Sequence, residues 1–239
     1  MSVLAAALAV YGVFLLVTAP ARLVRADLAR HMPPGLVLTR VRGSIWSGRL
    51  TLHADHGPVL SRVRFTFSPA VLLQGRLGYT LSLTGPVHGD ARIALGARSL
   101  LVSDARIAAP VAPLAQTWAA LRGLGVGGGL QLAASRLALG RRLRGHGQLT
   151  WSRLTLVSAP VNPLGDYRAR FVLQGRGLRF RLRTLAGRLR VRGQGRYDAG
   201  ELTFRGDVKG RGLRMGPLVD RFGTPDGALG RRVVFHIPL

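Results

Sequence analysis

Residues 178–183 read Leu-Arg-Phe-Arg-Leu-Arg, and residues 188–192 read Arg-Leu-Arg-Val-Arg. Apolar and charged side chains alternate in both stretches, and this period of two is typical of a β-strand with one dry face and one wet face. The same alternation predicts further strands over residues 59–67, 77–83, 167–174 and 202–209. We therefore predict an antiparallel sheet, because sheets that expose one face to water are commonly antiparallel.

Glycines separate these strands, and glycine supplies the positive φ that tight hairpins need. The predicted turn glycines are Gly75, Gly85, Gly140, Gly175, Gly177, Gly187, Gly193, Gly195 and Gly200. The close succession of strands predicts a meander, in which neighbours in sequence pair with each other.

Residues 44–52 resemble residues 149–156 except for Gly48, an extra residue that predicts a β-bulge. The glycines at 127–129 are interpreted either as a loop or as a hinge.

Short helices are predicted at three places in the body of the chain. Ser68 as the cap and Pro69 as the first helical residue predict a helix over residues 69–74. The spacing of apolar residues predicts a second helix over 110–122, and a third candidate covers 214–222.

The first 21 residues are interpreted as a membrane anchor. Residues 3–19 are apolar and uncharged, which reaches the lower limit of roughly 17–25 residues for a spanning helix. A buried helix and a cleaved signal peptide are the alternatives, but Pro20 and the lack of a basic leading segment disfavour cleavage. We expect an uncleaved anchor over residues 1–21 and a β-rich domain over residues 22–239, with two halves joined near 123–129 as one interpretation.

The chain carries a net charge of +25, and Lys209 is its only lysine. This balance favours an anionic partner, such as nucleic acid, anionic lipid headgroups or lipopolysaccharide. The alternative is a coding bias toward arginine, which explains the choice of arginine but not the scarcity of acidic residues.

The predicted strands bring Arg179, Arg181, Arg190 and Arg192 near one another on the wet face. This face is either simply solvated or offered to anionic lipid headgroups. Because the aromatic residues fall on the opposite face, we do not expect a nucleic-acid partner, which would stack its bases on aromatic rings among the arginines.

Residue patterns typical of an active site do not occur in the sequence. The lack of cysteine excludes disulfides and thiolate metal sites. Residues 53–56, His-Ala-Asp-His, are the only cluster of histidines, and they lie in a predicted polar loop. The acidic residues are scattered, and neither a nucleophile elbow nor a phosphate loop is present. We therefore expect no catalytic residue, no cofactor, no metal and no enzymatic activity.

Residues 43–48, Gly-Ser-Ile-Trp-Ser-Gly, resemble the Gly-Thr-Leu-Trp-Ser-Gly signature of type II secretion system protein N, also called general secretion pathway protein N. Ser44 and Ile45 stand where the signature has threonine and leucine. Other segments resemble the family in the same order: Ala19-Pro20, Phe67-Ser68-Pro69, Leu72-Leu73, Gly75-Arg76-Leu77, Pro163-Leu164-Gly165-Asp166-Tyr167 and Thr184-Leu185-Ala186-Gly187-Arg188-Leu189.

The resemblance implies a single-pass inner-membrane protein with a periplasmic β domain, a non-enzymatic accessory part of the machine that exports folded proteins across the outer membrane. It implies contacts with other type II secretion components. It also implies a curved antiparallel sheet like that of AsmA-like envelope proteins, with a few short helices and an apolar concave face. An AsmA-like protein that handles lipids or assists outer-membrane assembly is the alternative function.

Within the signature, Gly43, Trp46, Ser47 and Gly48 are the candidate site residues, as structural elements or as partner contacts.

The positive-inside rule alone would place the domain in the cytoplasm, because Arg22, Arg25 and Arg30 follow the apolar run. The resemblance points to the periplasm instead, and a periplasmic domain is our expectation.

Overall fold

The computed structural model describes residues 36–54, 59–97, 99–117, 125–157, 159, 162–198, 200–210, 223–225 and 230–238. This part of the chain is mainly β and forms one antiparallel sheet of fourteen strands. The predicted anchor at residues 1–21 and the helix candidate at 214–222 lie outside the described residues. In the described part, no helix combines the length and apolar character needed to cross a membrane.

The strands follow the chain as β1 Leu36–Gly43, β2 Ser47–Ala54, β3 Val59–Ser68, β4 Leu77–Thr84, β5 His88–Gly96, β6 Ser99–Pro110, β7 Val126–Gly140, β8 Leu143–Leu156, β9 Gly165–Gly175, β10 Gly177–Gly187, β11 Leu189–Asp198, β12 Glu201–Gly210, β13 Gly223–Pro225 and β14 Gly230–Pro238. Strands β1 to β12 pair in chain order, and β12 is followed by β14 and then β13. The predicted antiparallel meander is confirmed, and each strand predicted from alternation is present.

The first predicted helix is a 3-10 helix, Pro69–Gln74. Pro69 opens it as expected, but Ser68 is not a side-chain cap: its backbone is extended and its hydroxyl makes no capping hydrogen bond. Gly75 ends the helix with a left-handed φ of 66°, and its N–H donates to the carbonyl of Leu72 at 2.8 Å. A left-handed residue after the last turn is a usual helix stop because it lets backbone N–H groups reach free carbonyls.

The second predicted helix is α1, Val111–Thr117, which follows β6 directly. Residues 118–122 of the prediction lie outside the described residues. Leu114 packs against the cluster that contains Ala54 of β2, while Val111 packs with Val126 and Leu156 of β7 and β8. In a flat sheet β2 and β7 would lie about 24 Å apart, at five strand spacings. Since one short helix contacts both, the sheet bends around α1.

In the part of the chain that the structure describes, three residues other than glycine adopt a left-handed backbone: Arg40, Asp104 and Arg153, with φ of 51°, 51° and 49°. Each coincides with a register shift, in the pairings of β1 with β2, β5 with β6, and β8 with β9. An extra residue on one strand is a β-bulge, which bends the strand and increases its twist. The bulge expected at Gly48 is wrong, because Gly48 pairs regularly with Gly43 and with Phe65.

The glycines at 127–129 lie in strand β7 rather than in a free loop. Trp151 of β8 binds this segment, since its indole N–H donates to the carbonyl of Gly127 at 3.1 Å. A division of the domain into halves near residues 123–129 stays a prediction.

Candidate functional site

The wet face of strands β9–β12 carries ten cationic side chains, which we call the arginine face. Its members are Arg168, Arg170, Arg179, Arg181, Arg183, Arg190, Arg192, Arg196, Arg205 and Lys209. Residues directly opposite each other in an antiparallel pair share a face, with Cβ atoms about 4.5–5.5 Å apart. Residues two apart on one strand are separated by about 6.8 Å. The cations therefore form a lattice rather than isolated charges.

Several of these cations lie directly opposite one another. Successive partners are Arg168, Arg183, Arg192 and Asp207 in one row, Arg170, Arg181, Gln194 and Arg205 in the next, Arg179 and Arg196 in a third, and Arg190 and Lys209 in a fourth. Like charges at directly opposed positions destabilise a sheet. The predicted clustering of Arg179, Arg181, Arg190 and Arg192 on one face is confirmed, although their direct partners are other residues.

The arginine face is open to solvent and is not neutralised within the described part of the chain. All its members are exposed except Arg168, which is half-buried. No arginine of this face forms an ion pair with a carboxylate among the described residues, whereas Arg92 and Asp104 of β5–β6 do, at 3.0 Å. The buried Nε of Arg168 has no hydrogen-bond partner there. A depression of about 890 Å³ lies over the centre, lined by Arg170, Arg181 and Arg205 among others.

The dry face behind the arginines is built from aromatic rings that lie across glycines. Gly195 is directly opposite Phe180 on one side and Phe204 on the other. These two rings stack with centroids 6.1 Å apart. A Cβ atom at Gly195 would overlap the ring of Phe180, and one at Gly193 would overlap the ring of Phe204. The prediction of turns at Gly193 and Gly195 is therefore wrong: both lie inside β11, where the neighbouring rings need the space.

Tyr167 fixes the start of β9 from the dry face. Its hydroxyl donates to the carbonyl of Leu189 at 2.9 Å, and its side chain is 5 % exposed. Burial, with a smaller contribution from the Asp166 carboxylate, raises the pKa of Tyr167 to about 12. Asp166 in turn accepts a hydrogen bond from the backbone N–H of Arg153, at 2.7 Å, in the bulge of β8.

The four signature residues lie together at the turn between β1 and β2. Gly43 has a φ of 103°, and a Cβ atom there would overlap the backbone of Ser47. At Gly48 a Cβ atom would overlap the carbonyl oxygen of Arg42 and the ring of Phe65. The two glycines therefore allow the backbones of β1 and β2 to approach closely at this turn.

Trp46 lies between these glycines and is half-buried. Its ring meets the ring of Phe67 edge to face, with centroids 4.6 Å apart. The rings of Phe67 and Tyr79 also meet edge to face, with centroids 5.6 Å apart. The backbone N–H of Phe67 also donates to the carbonyl of Trp46 at 2.6 Å. Trp46 thus joins an aromatic row on the dry face, and its role as packing or as a partner contact stays a prediction.

Histidines and carboxylates are dispersed in the described structure. His53 lies near the end of β2, while Asp55 and His56 lie outside the described residues. His146 Nε2 lies 3.2 Å from the hydroxyl of Ser135, on the wet face. Within the described ranges, no group of three or more such side chains is placed to hold a metal ion.

Sequence reasoning missed Arg196 as part of the arginine face. The predicted strand ends at Arg192, before the predicted turn glycines Gly193 and Gly195, so Arg196 is not among the arginines expected on this face. Residues 193–197, Gly-Gln-Gly-Arg-Tyr, in fact continue the alternation, with glycine at the dry positions. Glycine in phase with apolar residues, next to strands that contain phenylalanine, is the signal that identifies this strand.

Comparison with known families gives a single clear result. The model of the family described as Type II secretion system (T2SS), protein N matches residues 34–233. The matched region begins just before β1 and ends within β14, so it contains the arginine face and the signature residues. Neither the search of curated proteins nor the search of solved structures found a match.

Proposed function

This chain belongs to the type II secretion system protein N family, and we propose that it is a non-enzymatic accessory component supporting the export of folded proteins across the outer membrane. The observation that carries this proposal is the family match over residues 34–233. A long open sheet with two chemically different faces also suits an accessory role, because it offers extended surfaces to partners. Other components of the secretion machine are the partners this proposal implies.

Deletion of the gene tests this function. In the source organism, loss of the protein is expected to lower secretion of folded exoproteins modestly and to leave the undelivered fraction in the periplasm. The measurement is the ratio of extracellular to cell-associated exoprotein, with the gene restored in trans as the control. Secretion that stays unchanged in the deletion strain contradicts the proposal.

The inner-membrane location belongs to the same proposal. Family membership supports a place in the cell envelope, and the apolar residues 3–19 supply the proposed single-pass anchor. A C-terminal alkaline phosphatase fusion should be active and membrane-bound if the domain is periplasmic. An inactive phosphatase together with a fluorescent cytoplasmic reporter would mean that Arg22, Arg25 and Arg30 set the topology instead.

A second candidate function, lipid handling by an AsmA-like protein, is favoured by the open dry face. Leu77 and Leu95 are directly opposed on this face and remain 46 % and 41 % exposed. The bend of the sheet around α1 supports the finer description as a curved, AsmA-like sheet. Unchanged secretion together with altered outer-membrane permeability in the deletion strain would favour this function. A gene located beside those of the secretin, the ATPase and the pseudopilins would favour the first.

A further inference from the structure

We propose that the arginine face is a docking surface for the phosphate headgroups of an anionic lipid bilayer. The inference goes beyond the proposed role in secretion and rests on it only in placing the protein beside a membrane surface. It follows from how charge is distributed over the wet face, from the chemistry of arginine and from the position of the aromatic rings.

Charge is segregated along the sheet rather than spread evenly. The wet face of β5–β6 is balanced, with Asp90 opposite Arg106 and an ion pair between Arg92 and Asp104. The wet face of β11–β12 carries three carboxylates, those of Asp198, Glu201 and Asp207, and Asp198 and Glu201 lie opposite each other at the end of the face, beyond Arg196. A coding bias toward arginine would act on all strands alike. Opposed arginines also occur on β1–β3, where Arg42, Arg49 and Arg64 form one row. The largest group of cations lies on β9–β12, and it points to an anionic partner at this place.

Arginine on a rigid sheet suits phosphate in particular. The guanidinium group offers a planar fork of N–H donors that binds phosphate oxygens two at a time. Arg170 and Arg181 face each other directly, and Arg183 lies next to Arg181 along β10. A phosphate between such arginines would receive donors from two strands and would relieve the repulsion between the like charges.

The composition of the face favours a bilayer over a protein or a nucleic acid. Protein interfaces are usually anchored by aromatic side chains, and single-stranded nucleic acid stacks on them. Here Phe171, Phe180 and Phe204 all lie on the opposite, dry face. Across four strands the face is about 14 Å wide, enough to meet several headgroups at once. Mobile lipid headgroups can adjust to such a lattice without any apolar anchor.

The test is capture of vesicles by the full chain. The chain is embedded in phosphatidylcholine nanodiscs, so that its apolar segment, residues 3–19, is supplied with lipid and does not itself drive binding to the vesicles. Flotation then measures capture of phosphatidylcholine vesicles with and without about one third phosphatidylglycerol, which supplies the negative surface potential. At about 0.1 M salt, where charges are screened beyond about 10 Å, only the vesicles with phosphatidylglycerol should be captured.

The decisive variant is Arg170→Gln/Arg181→Gln, which removes two directly opposed charges from the centre of the face. Each cation near an anionic surface contributes about fivefold to binding, so capture should weaken about thirtyfold. The matched control is Arg141→Gln/Arg142→Gln, which removes the same charge from the exposed turn between β7 and β8. It should capture vesicles like the parent, and thermal melting of each variant confirms that it is folded.

Several results would overturn the inference. Equal capture of vesicles with and without phosphatidylglycerol would show that lipid charge is not recognised. Equal weakening of vesicle capture in both variants would mean that capture depends only on the net charge of the protein. Unchanged capture in both variants would mean that the vesicles bind outside the arginine face. Binding of polyphosphate or duplex DNA without vesicle capture would assign the face to a soluble polyanion. The secretion role can fail separately. If the purified chain captures the anionic vesicles as expected but the deletion strain secretes normally, the secretion role is refuted and this inference stands.

Discussion

At the residue scale, Gly195 shows how a missing side chain positions its neighbours. A Cβ atom there would meet both the ring of Phe180 and, at 2.9 Å, the carbonyl oxygen of Thr203. We expect Gly195→Ala to lower the free energy of unfolding by about 1–3 kcal/mol, the usual range for overpacking. In urea unfolding, the loss should shrink in a Phe180→Leu background. An equal loss in both backgrounds would assign the strain to the backbone of Thr203 instead of the ring.

Trp46 offers a test that separates packing from partner binding. The side chain is half-buried against Phe67, so Trp46→Ala should cost about 2 kcal/mol, less than the ~3–5 kcal/mol of a fully buried tryptophan. Trp46→Phe keeps an aromatic ring and should lose less. Melting temperature and co-purification with other secretion components are measured on the same proteins. A Trp46→Ala protein that melts like the parent but loses its partners would identify a binding contact, and no change in either would refute both roles.

Tyr167 predicts a loss of stability at alkaline pH. Its pKa is raised in the folded state from the ordinary value of 10 to about 12, so the unfolded chain loses this proton first. The stabilisation is fully present below pH 10 and is lost as the pH rises toward 12. The fall attributable to Tyr167 is at most about 3 kcal/mol in the free energy of unfolding. The Tyr167→Phe protein should show a shallower fall in urea unfolding between these pH values, and identical slopes would contradict the assignment.

At the scale of elements, sequence reasoning located the strands but not their irregularities. Alternation in residues 178–183 identifies a strand because water on one side and side-chain packing on the other select residues by face. A bulge leaves no such mark when its left-handed residue is not glycine, as at Arg40, Asp104 and Arg153. Gly48, which the pattern did mark, serves close backbone packing instead. The local sequence therefore specifies the faces, and contacts between strands determine where the register shifts.

The bulge of β6 can be tested at Asp104. Aspartate tolerates the left-handed region better than most residues, whereas a β-branched side chain there is strongly disfavoured. Asp104→Val should therefore lower the free energy of unfolding by about 1–2 kcal/mol, while Asp104→Gly should stay close to the parent. Ser103→Val introduces the same side chain one residue earlier in β6 and should have little effect. Equal losses at 103 and 104 in urea unfolding would argue against backbone strain at Asp104.

At the scale of the whole molecule, two features of the candidate site depend on strand order, which the sequence only partly indicates. The meander follows from short connections, and with it the placement of arginines on neighbouring strands. The opposed pairs depend on register, which bulges and turns shift by single residues. The bend of the sheet around α1 depends on contacts of Leu114 and Val111 with distant strands, and no local pattern reports them.

The density of like charge on the arginine face predicts an unusual response of the whole domain to salt. Five directly opposed cation pairs cross strands β9–β12, and each is expected to destabilise the sheet by some tenths of a kcal/mol. Raising sodium chloride from about 0.01 M to about 1 M shortens the screening length from about 30 Å to about 3 Å. The repulsion should then fade, and the free energy of unfolding in urea should rise by about 1–2 kcal/mol.

One variant makes the salt response specific to this face. Arg181→Gln removes the charge opposite Arg170, so at low salt it should be more stable than the parent by some tenths of a kcal/mol and should gain less from added salt. Arg142→Gln, in the turn after β7, removes the same formal charge away from the opposed pairs and should leave the salt response unchanged. Urea is the required denaturant, since guanidinium chloride would itself screen the charges. A parent protein whose stability is flat or falls with sodium chloride would mean that the arginines are spaced and hydrated well enough to coexist without cost.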